Sequence, residues 1–266
     1  MGLDCLFTLG GAGTHKTAAL LCMEGCNVIG LPKTIDNDIY GTDVTFGFQT
    51  AVEVATEAID RIRTTAASHS RTMLVEIMGN KAGWLTLHTG IAAGADMILI
   101  PEIPFSPEAV ADFIVKQRQS GKTHTIIAVA EGAVLASEVK FKKSERTFIR
   151  TERGETTVTP HLAEFLQQST GFETRASVLG YLQRGGTPCA YDRLLSSRLG
   201  GFAAKLACEG RFGVTAAVSG NRITFNALTE IAGKYKLVDP KGAIVNFAKS
   251  IGIGFGIRSR TIVLLN

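Results

Sequence analysis

Short apolar runs alternate with segments of helical period along most of this chain. The runs at 5–9, 27–31, 72–78, 97–100, 125–130, 174–179 and 214–218 read as strands, most of them stopped by glycine, proline or a carboxylate. Helical segments fall between them at 17–24, 85–93 and 160–168, and at 107–117, where Pro107 suits a first turn. Phe48, Val52, Ala55, Ile59 and Ile62 recur at spacings of four and three and predict one buried face of a long helix. Tyr191, Leu195, Leu199, Phe202 and Leu206 predict another. The charged stretch 140–155 predicts an exposed segment. Strands alternating with helices predict an α/β fold, a mostly parallel sheet covered by helices.

Parallel sheets bind ligands outside the carboxyl ends of their strands. The polar clusters of this sequence fall at those predicted ends. They are Gly10-Gly11-Ala12-Gly13-Thr14, Pro32-Lys33-Thr34-Ile35-Asp36-Asn37-Asp38, Met78-Gly79-Asn80 and Glu131. The second carries two carboxylates, a hydroxyl and an ammonium, which suits proton and phosphoryl transfer. If the loop is extended, Asp36 and Asp38 face one ligand or one Mg²⁺; otherwise they form an Asx-turn cluster on a solvated loop. The glycine loop suits phosphate oxygens at a helix N-terminus, although a plain strand-to-helix turn explains it equally well. Arg71, Arg175 and Arg184 are candidate phosphate forks. Glu131 either accepts sugar hydroxyls or is a helix N-terminal acid. Trp84 reads as core or interface, and His88 as an ordinary helix residue.

Composition narrows the class. With 266 residues, 45% of them apolar and 20% charged, the chain has a globular composition. No apolar run is long enough to span a bilayer, and no basic segment precedes an apolar one in a leader-like pattern. Five cysteines without zinc-like spacing suit free thiols in a reducing compartment, so a cytoplasmic location is expected. A net charge of +4 with no basic block does not imply nucleic acid.

Taken together, the Pro32–Asp38 loop, Ser68-His69-Ser70-Arg71, Val75-Glu76-Ile77-Met78-Gly79, Glu173-Thr174-Arg175-Ala176-Ser177-Val178-Leu179-Gly180 and Gln183-Arg184-Gly185-Gly186-Thr187-Pro188 resemble, in order, the 6-phosphofructokinase family. Ala82-Gly83-Trp84 and Tyr181 resemble the bacterial branch that mixes ATP-using and pyrophosphate-using features. The resemblance implies two similar α/β lobes: a donor side at 1–47 and 184–235, and a sugar-phosphate side at 48–183 and 236–266. It implies phosphorylation of the 1-hydroxyl of fructose 6-phosphate with Mg²⁺, the step committed to glycolysis. Asp36 matches the catalytic base, Thr34 a residue holding the reacting groups, and Asp38 a second carboxylate. Gly11, Gly13, Thr14 and Lys33 match the donor side. Met78, Gly79, Asn80, Glu131, Tyr181 and Arg184 match positions around the sugar phosphate. Arg71 and Arg175 match arginines that reach a neighbouring subunit's 6-phosphate, which implies a homodimer or homotetramer.

The sequence departs from that family in three places. Ala12 stands where an aspartate usually helps hold Mg²⁺, and a methyl group cannot ligate a hard cation. Asn80 stands where the family has a basic residue, with Lys81 beside it. The resemblance also starts after the family's opening strand and glycine loop, so an incomplete first lobe with exposed edges and poor solubility is expected. Gly13 favours ATP as donor, while Lys33 is associated with pyrophosphate users. The competing readings are a degenerate homologue that binds sugar phosphate without turnover and, more distantly, a dinucleotide-binding oxidoreductase. The sequence assigns no role to 257–266.

Overall fold

The computed structural model describes residues 2–152 and 154–257; most of 257–266 lies outside them. In chain order the elements are β1 (Leu6–Gly10), α1 (Ala12–Met23), β2 (Val28–Thr34), β3 (Phe46–Gly47), α2 (Phe48–Ser68), β4 (Thr72–Ile77), α3 (Trp84–Ala92), β5 (Met97–Leu99), α4 (Pro107–Gln119) and β6 (Thr125–Ala130). There follow α5 (Lys143–Glu152), α6 (Thr159–Thr170), β7 (Thr174–Val178), α7 (Ala190–Cys208), β8 (Val214–Ser219), β9 (Arg222–Ala227), α8 (Leu228–Ile231) and α9 (Ala243–Ser250). The α/β class holds. None of these helices is long and apolar enough to cross a membrane.

The chain folds as two compact units, one formed by Met1–Val54 with Tyr181–Val238, the other by Ala55–Gly180 with the chain from Asp239 on. The first has a sheet in the order β1-β2-β8-β9, with β3 added beside the end of β2. β1, β2 and β8 run parallel, while β9 returns antiparallel to β8. Ala18 and Ala19 of α1 pack with Val28, Ile39, Leu228 and Ile231. β1 is an edge strand, and its Leu6, Phe7 and Leu9 are 40–57% exposed. Gly30 of β2 is needed for close approach: a Cβ there would lie 2.9 Å from Thr215 Oγ1 and 3.2 Å from His15 Nε2.

The second unit is a parallel sheet in the order β5-β6-β4-β7. β4 and β6 are buried along their whole length. That is why their sequences, TMLVEI and TIIAVA, read as runs rather than as alternation. α4 starts where its caps dictate: the Ser106 side chain accepts from Ala109 N–H, Pro107 opens the first turn, and Glu108 sits at the positive end of the helix dipole.

Several predicted bounds shift. β2 continues through Pro32 to Thr34: its pairing with β8 covers only Ile29 and Gly30, so among the described residues Pro32 pairs with β1 alone and β8 asks for no N–H there. α1 begins at Ala12, five residues before the apolar pattern indicates, so the glycine loop is itself the first helical turn. The charged stretch is not simply exposed: it contains α5, whose Arg150 is buried. Tyr191 is half-exposed and drops out of the buried face of α7.

Candidate functional site

Three sequence elements build a cleft in the first unit: the loop leaving β2, the β3–α2 junction, and the turn leading into α7. Thr34, Asp36, Gly47, Thr50, Arg184 and Asp192 are among the residues lining a cavity of about 490 Å³. Asp36 and Asp38 do not share it. Asn37 between them takes a left-handed φ of 52°, and its Oδ1 accepts from Thr45 N–H at 3.1 Å. This turn breaks the extended path that would send both aspartates the same way. Asp36 stays half-buried on the cleft, while Asp38 is 3% exposed and does not line it. Thr34 is tied to the loop at both ends, its Oγ1 accepting from Asp36 N–H at 3.2 Å and its carbonyl from Thr45 Oγ1 at 2.8 Å.

The glycine loop flanks this cleft. A Cβ on Gly11 would sit 3.6 Å from the Thr34 side chain, and Gly10 has no room for one because Thr14 Oγ1 would be 2.1 Å away. α1 has no acidic residue in its first turn and no side-chain cap, so its N-terminal N–H groups retain their pull on anions. Gly13 is exposed, with no atom within 4 Å of where a Cβ would stand. His15 ties the loop to β8: its Nδ1 lies 3.0 Å from Gly11 O and its Nε2 2.9 Å from Thr215 Oγ1. Burial pushes the His15 pKa below the usual histidine value, opposed by the bond to Gly11.

Sequence reading missed two residues here: Asp192, which lines the cleft, and Lys236, which holds the 38–43 segment outside it. Asp192, buried in the first turn of α7, accepts from Thr50 N–H at 2.8 Å and from Thr50 Oγ1 at 2.6 Å. Thr50 Oγ1 in turn accepts from Cys189 N–H at 3.1 Å. In sequence, Asp192 looks like any acid near a helix start. Hydrogen bonds to a buried carboxylate contribute about 1.5–3 kcal/mol each. Asp192→Ala is expected to cost about 3 kcal/mol, read as a lowered urea midpoint at unchanged slope. A midpoint equal to wild type would rule out this pinning role.

Lys236 is the second. Its Nζ donates to Thr42 O at 2.9 Å and Asp43 O at 2.7 Å, and its N–H donates to Asp38 O at 2.8 Å. Burial brings its pKa down to about 8, and the charges of Asp43 and Asp38 oppose the fall. Between pH 8 and 10.5 the unfolded chain binds a proton that the folded chain has released. Stability therefore rises with pH across that window, and the penalty is fully present below pH 8. The shift corresponds to about 3 kcal/mol. Relative to Lys236→Met, the wild type is expected to gain about that much from pH 8 to 10.5 in paired denaturation curves. A flat difference would disprove the burial effect.

The second unit gathers the other predicted residues at two opposite ends of its sheet. At the carboxyl end, Glu131 follows β6 and heads no helix. Its Oε1 accepts from Gly79 N–H at 3.2 Å and Asn80 N–H at 2.7 Å, gripping the turn after β4. Met78 belongs to the same turn. Gly79 has φ 143°, and a Cβ there would lie 2.7 Å from Ala82 O. At the amino end, Arg71 and Arg175 both pair with Glu173, at 2.9 and 2.8 Å. Arg71, by hydrogen bond and charge, and Arg175 hold the Glu173 carboxyl below its ordinary value. β4 and β7 run side by side from Thr72 and Thr174, so the length of a six-residue strand, about 20 Å, separates this pair from Gly79 and Glu131. Tyr181, in the first unit, is 82% exposed.

Mg²⁺ finds no resident cage here: among the described residues no group of three or more His, Cys, Asp or Glu could hold a metal, and position 12 carries a methyl group. An ion arriving on the donor's phosphates needs only one or two protein carboxylates.

Phosphate-suited loops at the carboxyl ends of parallel strands define a phosphate-handling α/β protein. The particular family follows from comparison: the model described as Phosphofructokinase matches residues 1–207, and the chain belongs to that family. It is 51% identical over 254 residues to the ATP-dependent 6-phosphofructokinase of Spirochaeta thermophila, covering 96% of this chain and 69% of the relative. It is 47% identical over 243 residues to the pyrophosphate–fructose 6-phosphate 1-phosphotransferase of Amycolatopsis methanolica, covering 90% of this chain and 70% of the relative. Among solved structures it is similar to the phosphofructokinase of Saccharomyces cerevisiae, with TM-score 0.71 and 33% identity over 86% of this chain and 32% of that one.

Proposed function

We propose that this chain transfers a phosphoryl group to the 1-hydroxyl of fructose 6-phosphate, giving fructose 1,6-bisphosphate. The observation that carries the reading is the cleft, where Asp36 is the one aspartate of its loop that lines the cavity, beside Thr34 and Arg184. Asp36 takes the hydroxyl proton as the sugar oxygen bonds to phosphorus and the donor's bridging oxygen leaves. Such transfer is positioning plus neutralisation of spread charge, with one carboxylate handling the proton. Thr34 holds the reacting groups, and Arg184 faces the phosphate charge. Asp38 acts from below the loop as a positioning residue.

Gly11, Gly13, Thr14 and Lys33 serve the donor. ATP, carried with Mg²⁺, is the donor we favour. The open space at Gly13 leaves room for a nucleotide, and the Spirochaeta relative is named as ATP-dependent. Pyrophosphate is the second reading, favoured by Lys33 and by the name of the Amycolatopsis relative. Met78, Gly79, Asn80, Glu131 and Tyr181 serve the sugar phosphate. Arg71 and Arg175 serve it on a second copy of the chain, because a strand's length separates them from Glu131 within their own unit. A homodimer or homotetramer follows, working in the cytoplasm. The test is coupled turnover of fructose 6-phosphate with ATP and, separately, with pyrophosphate. Binding without turnover on either donor would instead establish a non-catalytic homologue.

A further inference from the structure

A cavity of about 570 Å³ in the second unit has a lining of uncommon charge. Lys81, Lys143, Arg146 and Arg150 line it against a single carboxylate, Glu131. Three of the four cations come from α5, the segment whose charges alone would read as a solvated surface. The Glu131 oxygen Oε1 is already engaged by the backbone of Gly79 and Asn80. With Glu138 counted as well, because it pairs with Arg150, four cations stand against two carboxylates and the local balance is positive.

Two details show that Lys143 and Arg150 are held at the pocket rather than merely near it. Lys143 Nζ donates to Asn80 Oδ1 at 3.0 Å, which draws α5 toward the turn after β4. Arg150 is 8% exposed and anchored on one side, where Nη2 donates to Glu138 Oε2 at 2.5 Å and to Ala133 O at 3.2 Å. Its Nε–H is buried with no hydrogen-bond partner among the described residues. A buried donor left unpaired is rare and marks a place where a ligand or water completes the set. A guanidinium with one edge fixed to a carboxylate presents its remaining N–H groups in a rigid plane, the arrangement that recognises phosphate oxygens.

We infer that this pocket binds the phosphate group of a small phosphorylated metabolite, held by Arg146, Lys143, Lys81 and the free edge of Arg150. The cavity is larger than inorganic phosphate needs and falls in the size range of metabolite sites. Because Asn80 and Glu131 also belong to the set assigned above to the sugar phosphate, the phosphate has two possible sources: the acceptor substrate, or a separate metabolite bound beside it.

The experiment uses the full chain and the double variant Lys143→Gln/Arg146→Gln. Both side chains lie at the protein surface or only partly buried, so the fold is expected to survive, as a cooperative melt of the variant in chloride checks. Thermal unfolding is measured with inorganic phosphate against sodium chloride of equal ionic strength. General salting effects act on both proteins alike. A phosphate-dependent rise in Tm for the wild type that shrinks at least fivefold in the variant supports the pocket. No rise in the wild type, or an equal rise in the variant, overturns it. The KM for fructose 6-phosphate then separates the sources. A KM raised tenfold or more identifies the acceptor's own phosphate, and an unchanged KM with the Tm effect lost identifies another metabolite. Failure of the wild type to turn over at all would count against the proposed activity alone, since phosphate binding is read without it.

Discussion

Asp36→Asn is expected to lower kcat about 10³-fold, within the range of a positioned general base, while leaving binding of fructose 6-phosphate nearly unchanged. The side chains are almost the same size, so the half-buried position tolerates the exchange, and no mutation of comparable reach is expected elsewhere in the loop. Asp38→Asn is the informative control. Asp38 is buried, does not line the cleft, and its charge acts on Lys236, so its effect is expected on stability first and on kcat by less than about tenfold. The measurement is steady-state turnover coupled to fructose 1,6-bisphosphate, with substrate binding followed by calorimetry. Wild-type turnover by Asp36→Asn would remove Asp36 as the base and with it the proposed mechanism.

The second large effect runs in the opposite direction. Ala12→Asp is expected to raise kcat/KM for the Mg²⁺-carried donor by about 10–100-fold at limiting Mg²⁺, the gain from one added charged ligand worth about 1.4–2.7 kcal/mol. The structure makes the substitution tolerable. Position 12 is the first residue of α1, partly exposed, and a helix without an acid in its first turn welcomes one by about 0.3–1 kcal/mol. The carboxylate would enter next to Gly11, whose neighbour across the loop is Thr34. Initial rates over a Mg²⁺ titration, with ATP and with pyrophosphate, check it. Equal Mg²⁺ dependence in both proteins would mean that the donor's ion needs no second carboxylate from this loop.

Much of the architecture is legible in the sequence because burial on both faces turns a strand into a recognisable run. TIIAVA and TMLVEI could scarcely be anything other than central strands, and both are. The long amphipathic helix is legible for the complementary reason: one wet face leaves a clear period. The readings that shift are those where tertiary context overrides a local rule. Pro32 stops no strand, because the pairing of β2 with β8 has already ended at Gly30. The α5 charges do not all face water, because Glu138 neutralises Arg150 in the interior. Asp192 is invisible as a site residue because its partner Thr50 lies 142 positions away.

By itself the sequence determined the class of fold, the family and the chemistry available at each loop, since these rest on residue types and on periods that local physics reads directly. The three-dimensional structure decided which of those groups meet. It parted Asp36 from Asp38 through one left-handed residue, set Arg71 and Arg175 at the far end of the strand from Glu131, and gathered Lys81, Lys143, Arg146 and Arg150 around one pocket. Side-chain direction depends on backbone dihedrals and on contacts between distant segments, and neither is written in the spacing of residues along the chain.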